Sequence, residues 1–383
     1  MTIALVTNSY PPNLNGVAVA VKNLEEALID RGIKVVVMTP KVPKAKYPKH
    51  VLPLPSTPAP DAISKELRFA LSYKSPNVIK FLKENQVDLI HSHDTFMAGM
   101  DTVAVAKKLK IPTVHTYHTL VENYDYFSVV GYKQFVRMYS KLVCNHHDAI
   151  IALSGKINNY LLDLKVKSTI YNLPNIFIPK NFNSTPEIYN KVYKFIFSNH
   201  LDNGNNILTF GRIAKEKNLE LSIDLILPLL QEDSTLRYII MGDGPLRKEL
   251  ENYVEELGMS NQIVFYGSYN YLESSLVAQY SKFFYTVSFS EVLPTTPLEA
   301  MSFALPVVCV NDPAYNYIVK NGINGYYVKT SKILPSCKKI LYNKKQHLLL
   351  SKKALQSYNQ YLKIDITQKY IDFYKKIINN YKI

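Results

Sequence analysis

The sequence predicts two doubly wound α/β domains facing across a cleft, and three features point there. At 383 residues the chain is longer than one hydrophobic core usually supports. Short apolar runs alternate with stretches of helical periodicity through both halves, the pattern of parallel sheets covered by helices. A stretch rich in Asn, Pro and Lys between Pro174 and Asn206 interrupts that alternation and marks a boundary. The expected layout is a first domain over residues 1–174, a linker over 175–206 and a second domain over 207–352. A helical segment over 353–383 then returns to the first domain.

In the first half, residues 2–8 form a continuous apolar strand of parallel-sheet type. After a loop containing Pro11 and Pro12, the positions Val17, Val21, Leu24 and Leu28 keep helical spacing, and Gly32 ends the helix. Lys34 to Thr39 is the next strand. This opening starts a nucleotide-type fold, with Gly16 where backbone can approach a ligand or simply close a loop. It lacks the Gly-x-Gly-x-x-Gly spacing of dinucleotide binders. Residues 40–60, rich in Pro and Lys, predict an exposed loop.

A helix over 63–84, a strand from Val87 to His93, a helix over 96–109 and a strand from Thr113 to Tyr117 follow. His118 stands at the carboxyl end of that last strand, where open α/β sheets bind ligands. His91, His93 and His115 fall within strands and read as core residues with satisfied hydrogen bonds. Over 131–146, Tyr132, Phe135, Val136, Tyr139, Leu142 and Val143 share one helical face, while Lys133, Arg137 and Lys141 form a basic stripe. Beside the aromatic loop Tyr124-Asp125-Tyr126-Phe127, that helix suits either an anionic membrane surface or a core contact with a solvated back. A strand over 149–153, a helix from Ser154 and a strand over 169–173 close the half.

The second half restarts the alternation with strands at 207–210, 236–241, 263–266, 283–289 and 306–310, and helices at 218–230, 245–257, 271–280 and from Pro297. The organising stretch runs from Ser290 to Met301. Pro294 and Pro297 forbid a helix across its middle, so Glu291 sits on the loop at a strand's carboxyl end. Thr296 fits an N-cap, Pro297 the first helical residue and Glu299 the third, next to backbone N–H groups that attract phosphate. Thr296-x-x-Glu299 equally fits a capping box. The strand ending at Phe210 leads into Gly211-Arg212, and Lys217 follows across the loop, so two cations can converge on one anion.

The bulk composition describes a globular protein with 47% hydrophobic and 20% charged residues. No apolar run approaches the roughly 20 residues of a membrane span, and the N-terminus reads as a strand, which predicts a cytoplasmic protein. Cys144, Cys309 and Cys337 have neither disulfide nor zinc spacing, and no Asp-x-Asp pair offers a carboxylate site for a divalent metal. No metal is expected. The net charge of +14, spread over the chain, suggests an anionic partner: phosphorylated substrate, acidic membrane or nucleic acid.

Pro12-Asn13-Leu14-Asn15-Gly16-Val17, Gly211-Arg212 with Lys217-Asn218, Gly242-Asp243-Gly244-Pro245, and Glu291-x7-Glu299-Ala300-Met301 together resemble the retaining glycosyltransferases of family four. The last is that family's Glu-x7-Glu signature. Within it, His115-Thr116-Tyr117-His118-Thr119, Glu122-Asn123-Tyr124-Asp125-Tyr126 and Cys144-Asn145 with Asp148 look most like bacterial diacylglycerol glucosyltransferases. The resemblance implies a GT-B fold, with UDP-glucose as donor substrate and no further cofactor. It also implies diacylglycerol or another lipid as acceptor, at the inner face of the cell membrane. Glu291 and His118 are the implied catalytic residues, on the sugar's hydroxyls and near its 6-position. Arg212 and Lys217 would hold the diphosphate, Glu299 the ribose, with Thr295, Thr296 and Gly16 beside the donor.

Two departures from the family pattern stand out: Ser302-Phe303-Ala304-Leu305-Pro306 replaces a glycine-containing turn, and Pro174-Asn175-Ile176 lacks the usual glycine. The competing functions are the same chemistry on a soluble or polysaccharide acceptor, a UDP-sugar 2-epimerase on the same fold, and a nucleic-acid binder. No recognition motif supports the last.

Overall fold

The structure, a computed structural model, describes residues 1–13, 15–59, 67–95, 97–120, 122, 131–178 and 184–381. The aromatic loop Tyr124–Phe127 and the start of the helix expected from residue 63 lie outside the described residues. The chain divides into two compact units, Met1–Ile178 with Asp365–Ile383, and Pro179–Ile364.

In unit 1 the elements are β1 (Thr2–Val6), α1 (Gly16–Asp30), β2 (Lys34–Pro40), β3 (Val51–Leu54), β4 (Ser56–Pro58), β5 (Arg68–Ala70), α2 (Pro76–Glu84) and β6 (Leu89–Ser92). Then come α3 (Met97–Leu109), β7 (Thr113–Tyr117), α4 (Tyr132–His146), β8 (Ala149–Ala152), α5 (Gly155–Asp163) and β9 (Thr169–Asn172). Seven of these strands form a parallel sheet in the order β3-β2-β1-β6-β7-β8-β9. The interior strands are buried on both faces, which is why they read as unbroken apolar runs.

Residues 40–60 are not simply an exposed loop. Val51 and Leu54 are buried, and β3 pairs with β2 through Val37 opposite Val51. Pro53 is tolerated because β3 is an edge strand. The helix expected from residue 63 starts instead at Pro76, where Ser75 Oγ accepts from the Val78 N–H and proline opens the first turn. Residues 68–70 are a strand, pairing antiparallel with β4.

Unit 2 holds α6 (Pro186–Ser198), β10 (Asn206–Phe210), α7 (Leu219–Glu232), β11 (Arg237–Met241), α8 (Arg247–Glu256), β12 (Ile263–Gly267) and α9 (Tyr271–Ala278). It continues with β13 (Ser281–Thr286), α10 (Thr296–Ser302), β14 (Val307–Val310), β15 (Gly325–Val328), α11 (Ile333–Tyr342) and α12 (Lys344–Lys363). The last helix, α13 (Ile366–Asn380), belongs to unit 1. The unit 2 sheet runs β12-β11-β10-β13-β14-β15, all parallel. The stretch read as linker thus contains a helix, α6, which buries Val192 and Ile196. Residues 353–363 finish α12 and, with Ile364, stay with unit 2.

In each sheet the strand order reverses direction at one place, between β1 and β6 in unit 1 and between β10 and β13 in unit 2. Helices leave to opposite faces there, opening a crevice beyond the carboxyl ends of the strands.

Candidate active site

At the unit 2 switch point, two glycine turns fix the backbone. Gly211 and Gly242 have φ of +148° and +150°, and the Gly211 N–H donates to the Met241 carbonyl at 2.9 Å. A Cβ on Gly242 would lie 1.8 Å from the Gly211 oxygen, and one on Gly244 would lie 2.2 Å from the Ile213 oxygen. The loops leaving β10 and β11 therefore touch backbone to backbone, and only glycine allows it. Ile213 and Ala214 are buried beside this contact, and Arg212, just before them, is exposed. Arg212 takes no ion pair among the described residues.

After Ala214 a short 3-10 turn, Lys215–Lys217, ends at Asn218 with φ +50°. The loop leaving β13 is stitched to that turn, since the hydroxyls of Ser288 and Ser290 both donate to the Glu216 carbonyl at 3.0 and 2.8 Å. The Tyr315 hydroxyl donates to the Ser288 carbonyl from below. Held by these bonds, Lys217 Nζ and Glu291 Oε1 meet at 2.5 Å, across 74 residues of sequence. Both side chains are largely sheltered, with 28% and 16% of their surface exposed. Shelter strengthens the pairing of opposite charges relative to open water.

Glu299 is placed differently from expectation. The N-cap of α10 is Thr295, in a helical conformation with no side-chain capping bond, so Thr296 is the first helical residue and Pro297 the second. Glu299 is thus one position too far along to close a capping box. Its Oε1 accepts instead from the Ser274 hydroxyl of α9 at 3.0 Å. Burial, helped by the charge of Glu299, pushes the neighbouring Tyr269 hydroxyl well above the ordinary phenol range. With seven residues and a proline among its first N–H positions, α10 offers a phosphate less than the sequence pattern promised.

In unit 1, His118 follows β7, and its Nε2 shares a proton with His93 Nδ1 at 2.8 Å. His91 is fully satisfied, between the hydroxyls of Tyr374 at 2.7 Å and Thr116 at 2.6 Å. The other strand histidines are not. His93 Nε2 and His115 Nδ1 are buried without a hydrogen-bond partner among the described residues, as is His147 Nε2. The ring centroids of His91 and His93 lie 4.0 Å apart, those of His93 and His118 5.1 Å, and those of His115 and His147 5.1 Å, each pair tilted by 35°. Burial drives all five rings to the neutral form, holding His118 at about 3 and His147 at about 4. The edge of His118 stays partly accessible. The His-x-His spacing at 91–93 signals two rings on one face of a strand, but not the contact between them.

Gly16 is the first residue of α1, capped by Asn15, whose Oδ1 accepts from the Ala18 N–H. A Cβ there would meet nothing within 4 Å, so the protein's own packing does not demand glycine. On α4 the packed face is Val136, Ser140, Val143 and Cys144, while Phe135 and Leu142 are exposed with Met138. Lys133 is exposed and Lys141 half-buried. Arg137 is not free: its guanidinium pairs with Glu122 at 3.1 Å and Asp163 at 2.5 Å, and lies over the Tyr160 ring. The basic stripe is therefore discontinuous.

Residues 14–176 match the family described as Glycosyltransferase Family 4, and residues 191–357 match Glycosyl transferases group 1. The chain belongs to glycosyltransferase family 4. It is a hexosyltransferase with the GT-B fold of two Rossmann-like domains. The chain is 28% identical to an alpha-monoglucosyldiacylglycerol synthase of Streptococcus pneumoniae, over 85% of this chain and 75% of that one. It is 26% identical to the Acholeplasma laidlawii enzyme of the same name, over 95% and 94%. Among solved structures, Anabaena HepE in complex with UDP and glucose superposes with a TM-score of 0.73 at 16% identity, covering 97% and 98% of the two chains. Sucrose-phosphate synthase of Thermosynechococcus elongatus gives 0.75 at 18%, covering 99% of each.

Proposed function

We propose that this hexosyltransferase moves glucose from UDP-glucose to a hydroxyl of a membrane lipid, diacylglycerol, with retention at the anomeric carbon. The observation that carries the reading is the Lys217–Glu291 contact at the β10/β13 switch point, with Arg212 exposed on the same loop. Arg212 and Lys217 take the diphosphate, Glu291 the hydroxyls of the sugar, and Glu299 the ribose, beside Thr295 and Thr296. His118, neutral, bonds the sugar near its 6-position, and Gly16 keeps a first loop open to the donor. The relatives named as alpha-monoglucosyldiacylglycerol synthases support the lipid acceptor.

The reaction breaks the bond between the anomeric carbon and the phosphate oxygen, whose electron pair leaves with UDP. Fixed cations stabilise that charge as it develops, in a site that need not reorganise. The acceptor oxygen bonds the same face of the carbon, and its proton passes to the departing phosphate oxygen. A nearby carboxylate favours the oxocarbenium-like centre. The exposed apolar residues Phe135, Met138 and Leu142 of α4, with Lys133 and Lys141, are suited to an anionic membrane surface at the inner face of the cell.

The test is to incubate the full chain with radiolabelled UDP-glucose and vesicles containing diacylglycerol. The expected product is a labelled, α-linked lipid. Label appearing only on added soluble sugars would reject the acceptor, and interconversion of UDP-sugars without any acceptor would make the protein an epimerase.

A further inference from the structure

The net charge, expected above to be spread over the chain, is concentrated in one part of it. Between Asp312 and Asp365 stand ten lysines and no Asp, Glu or Arg, so most of the net +14 falls in one stretch. Five of those lysines, Lys344, Lys345, Lys352, Lys353 and Lys363, lie on α12, and all five are exposed. The helix contains no carboxylate to neutralise them.

The helix also carries more apolar residues than it buries. Leu350, Ala354, Tyr358 and Tyr361 face the rest of unit 2. Leu348, Leu355 and Leu362 do not, with 58%, 38% and 40% of their surface exposed. Spaced seven residues apart, these leucines form one row along the helix, at intervals of about 10 Å. Lys345 and Lys352 are three residues before Leu348 and Leu355, so each lysine flanks a leucine on the outer surface. The outer face therefore has an apolar ridge beside a basic one and no negative charge.

We propose that α12 is a membrane-docking helix of unit 2, lying along the surface of an anionic lipid bilayer. The lysines meet lipid phosphates, and the leucine row enters the boundary between headgroups and acyl chains. A phosphate backbone alone would match the charge and leave the leucines wet, which favours lipid over nucleic acid. The surface lies outside the donor-site residues named above, and docking there does not depend on which acceptor is glycosylated.

Co-sedimentation of the full chain with vesicles tests it, comparing phosphatidylcholine alone with equal parts phosphatidylcholine and phosphatidylglycerol. Wild type is expected to bind the anionic vesicles and not the neutral ones. The variant Lys345→Gln/Lys352→Gln/Lys353→Gln should bind anionic vesicles at least tenfold more weakly, and Leu348→Ser/Leu355→Ser should lose the binding that survives high salt. Both variants should keep wild-type UDP affinity, which verifies folding and separates a docking failure from a failure of the donor site. Unchanged vesicle binding by both variants would overturn the proposal. So would RNA binding insensitive to the leucine changes and tighter than vesicle binding, or a dimer in gel filtration that the leucine variant dissolves.

Discussion

At the carboxyl ends of its strands, the unit 1 sheet places the neutral rings of His93 and His118, whereas the unit 2 sheet gathers glycine turns, a lysine and a carboxylate. Both sheets open at a reversal of strand order, so topology does not distinguish them. Side-chain chemistry does. In unit 2 the backbone is pressed together at Gly211 and Gly242, and the opposite charges of Lys217 and Glu291 meet beside it. In unit 1 three ring nitrogens are buried without partners among the described residues, and burial holds the rings neutral. Similar architecture carries a paired lysine and carboxylate in one unit and a buried, neutral histidine cluster in the other.

The sharpest way to break this contrast is to remove the cations of unit 2. Lys217→Ala and Arg212→Ala should each lower turnover by about 10²–10³-fold, the usual loss when one fixed stabiliser of developing negative charge is removed. Initial rates with UDP-glucose would show it, and a loss under tenfold would place the diphosphate elsewhere. Next comes the glycine contact. Gly242→Ala should destabilise the protein by about 3 kcal/mol, from a clash at the Gly211 carbonyl added to unfavourable φ. Chemical denaturation would measure it.

Acid separates the units in the opposite sense. A histidine whose folded pKa lies below its unfolded value costs nothing above about pH 6.5. Below that, the unfolded chain takes up protons that the folded ring refuses, so stability falls until the folded pKa is reached. For His118 and His147 that window runs down to about 3 and about 4. Each ring adds a slope of up to about 1.4 kcal/mol per pH unit. Hydrogen exchange should show β6, β7 and β8 losing protection below pH 6.5 while β10 and β13 keep theirs.

The smallest effect concerns the turn after α10. Ala304 has φ +59°, and its N–H and that of Leu305 bond the Met301 and Ala300 carbonyls, the closing pattern that favours glycine. Ala304→Gly should therefore stabilise unit 2 by about 0.5–1 kcal/mol, read as a shift in its denaturation midpoint.

Much of this fold was legible because parallel strands buried on both faces show as short apolar runs, so Thr113–Tyr117 and Ile263 onward fell where expected. The strand β3 was hidden by the prolines around it, and α6 by the Asn- and Pro-rich stretch before it, although it buries Val192 and Ile196. At the site, the residue types of the loops after β10 and β13 and their gathering at one sheet edge were readable, but the direct pairing of Lys217 with Glu291 was not. It depends on β10 lying beside β13, which no local pattern encodes. The Thr296-x-x-Glu299 spacing misled by one residue, because the helix starts at Thr296 and Glu299 turns to Ser274. The histidine nitrogens without partners among the described residues were likewise invisible, since satisfaction of a ring depends on neighbours far along the chain.

Calorimetric titration of UDP and of UDP-glucose into wild type, Lys217→Ala and Glu291→Gln tests the central assignment most directly. If the charge-handling site is at the β10/β13 tips, Lys217→Ala weakens both ligands, and Glu291→Gln keeps UDP affinity while losing the extra affinity for UDP-glucose. Wild-type affinity of both variants for both ligands would contradict it.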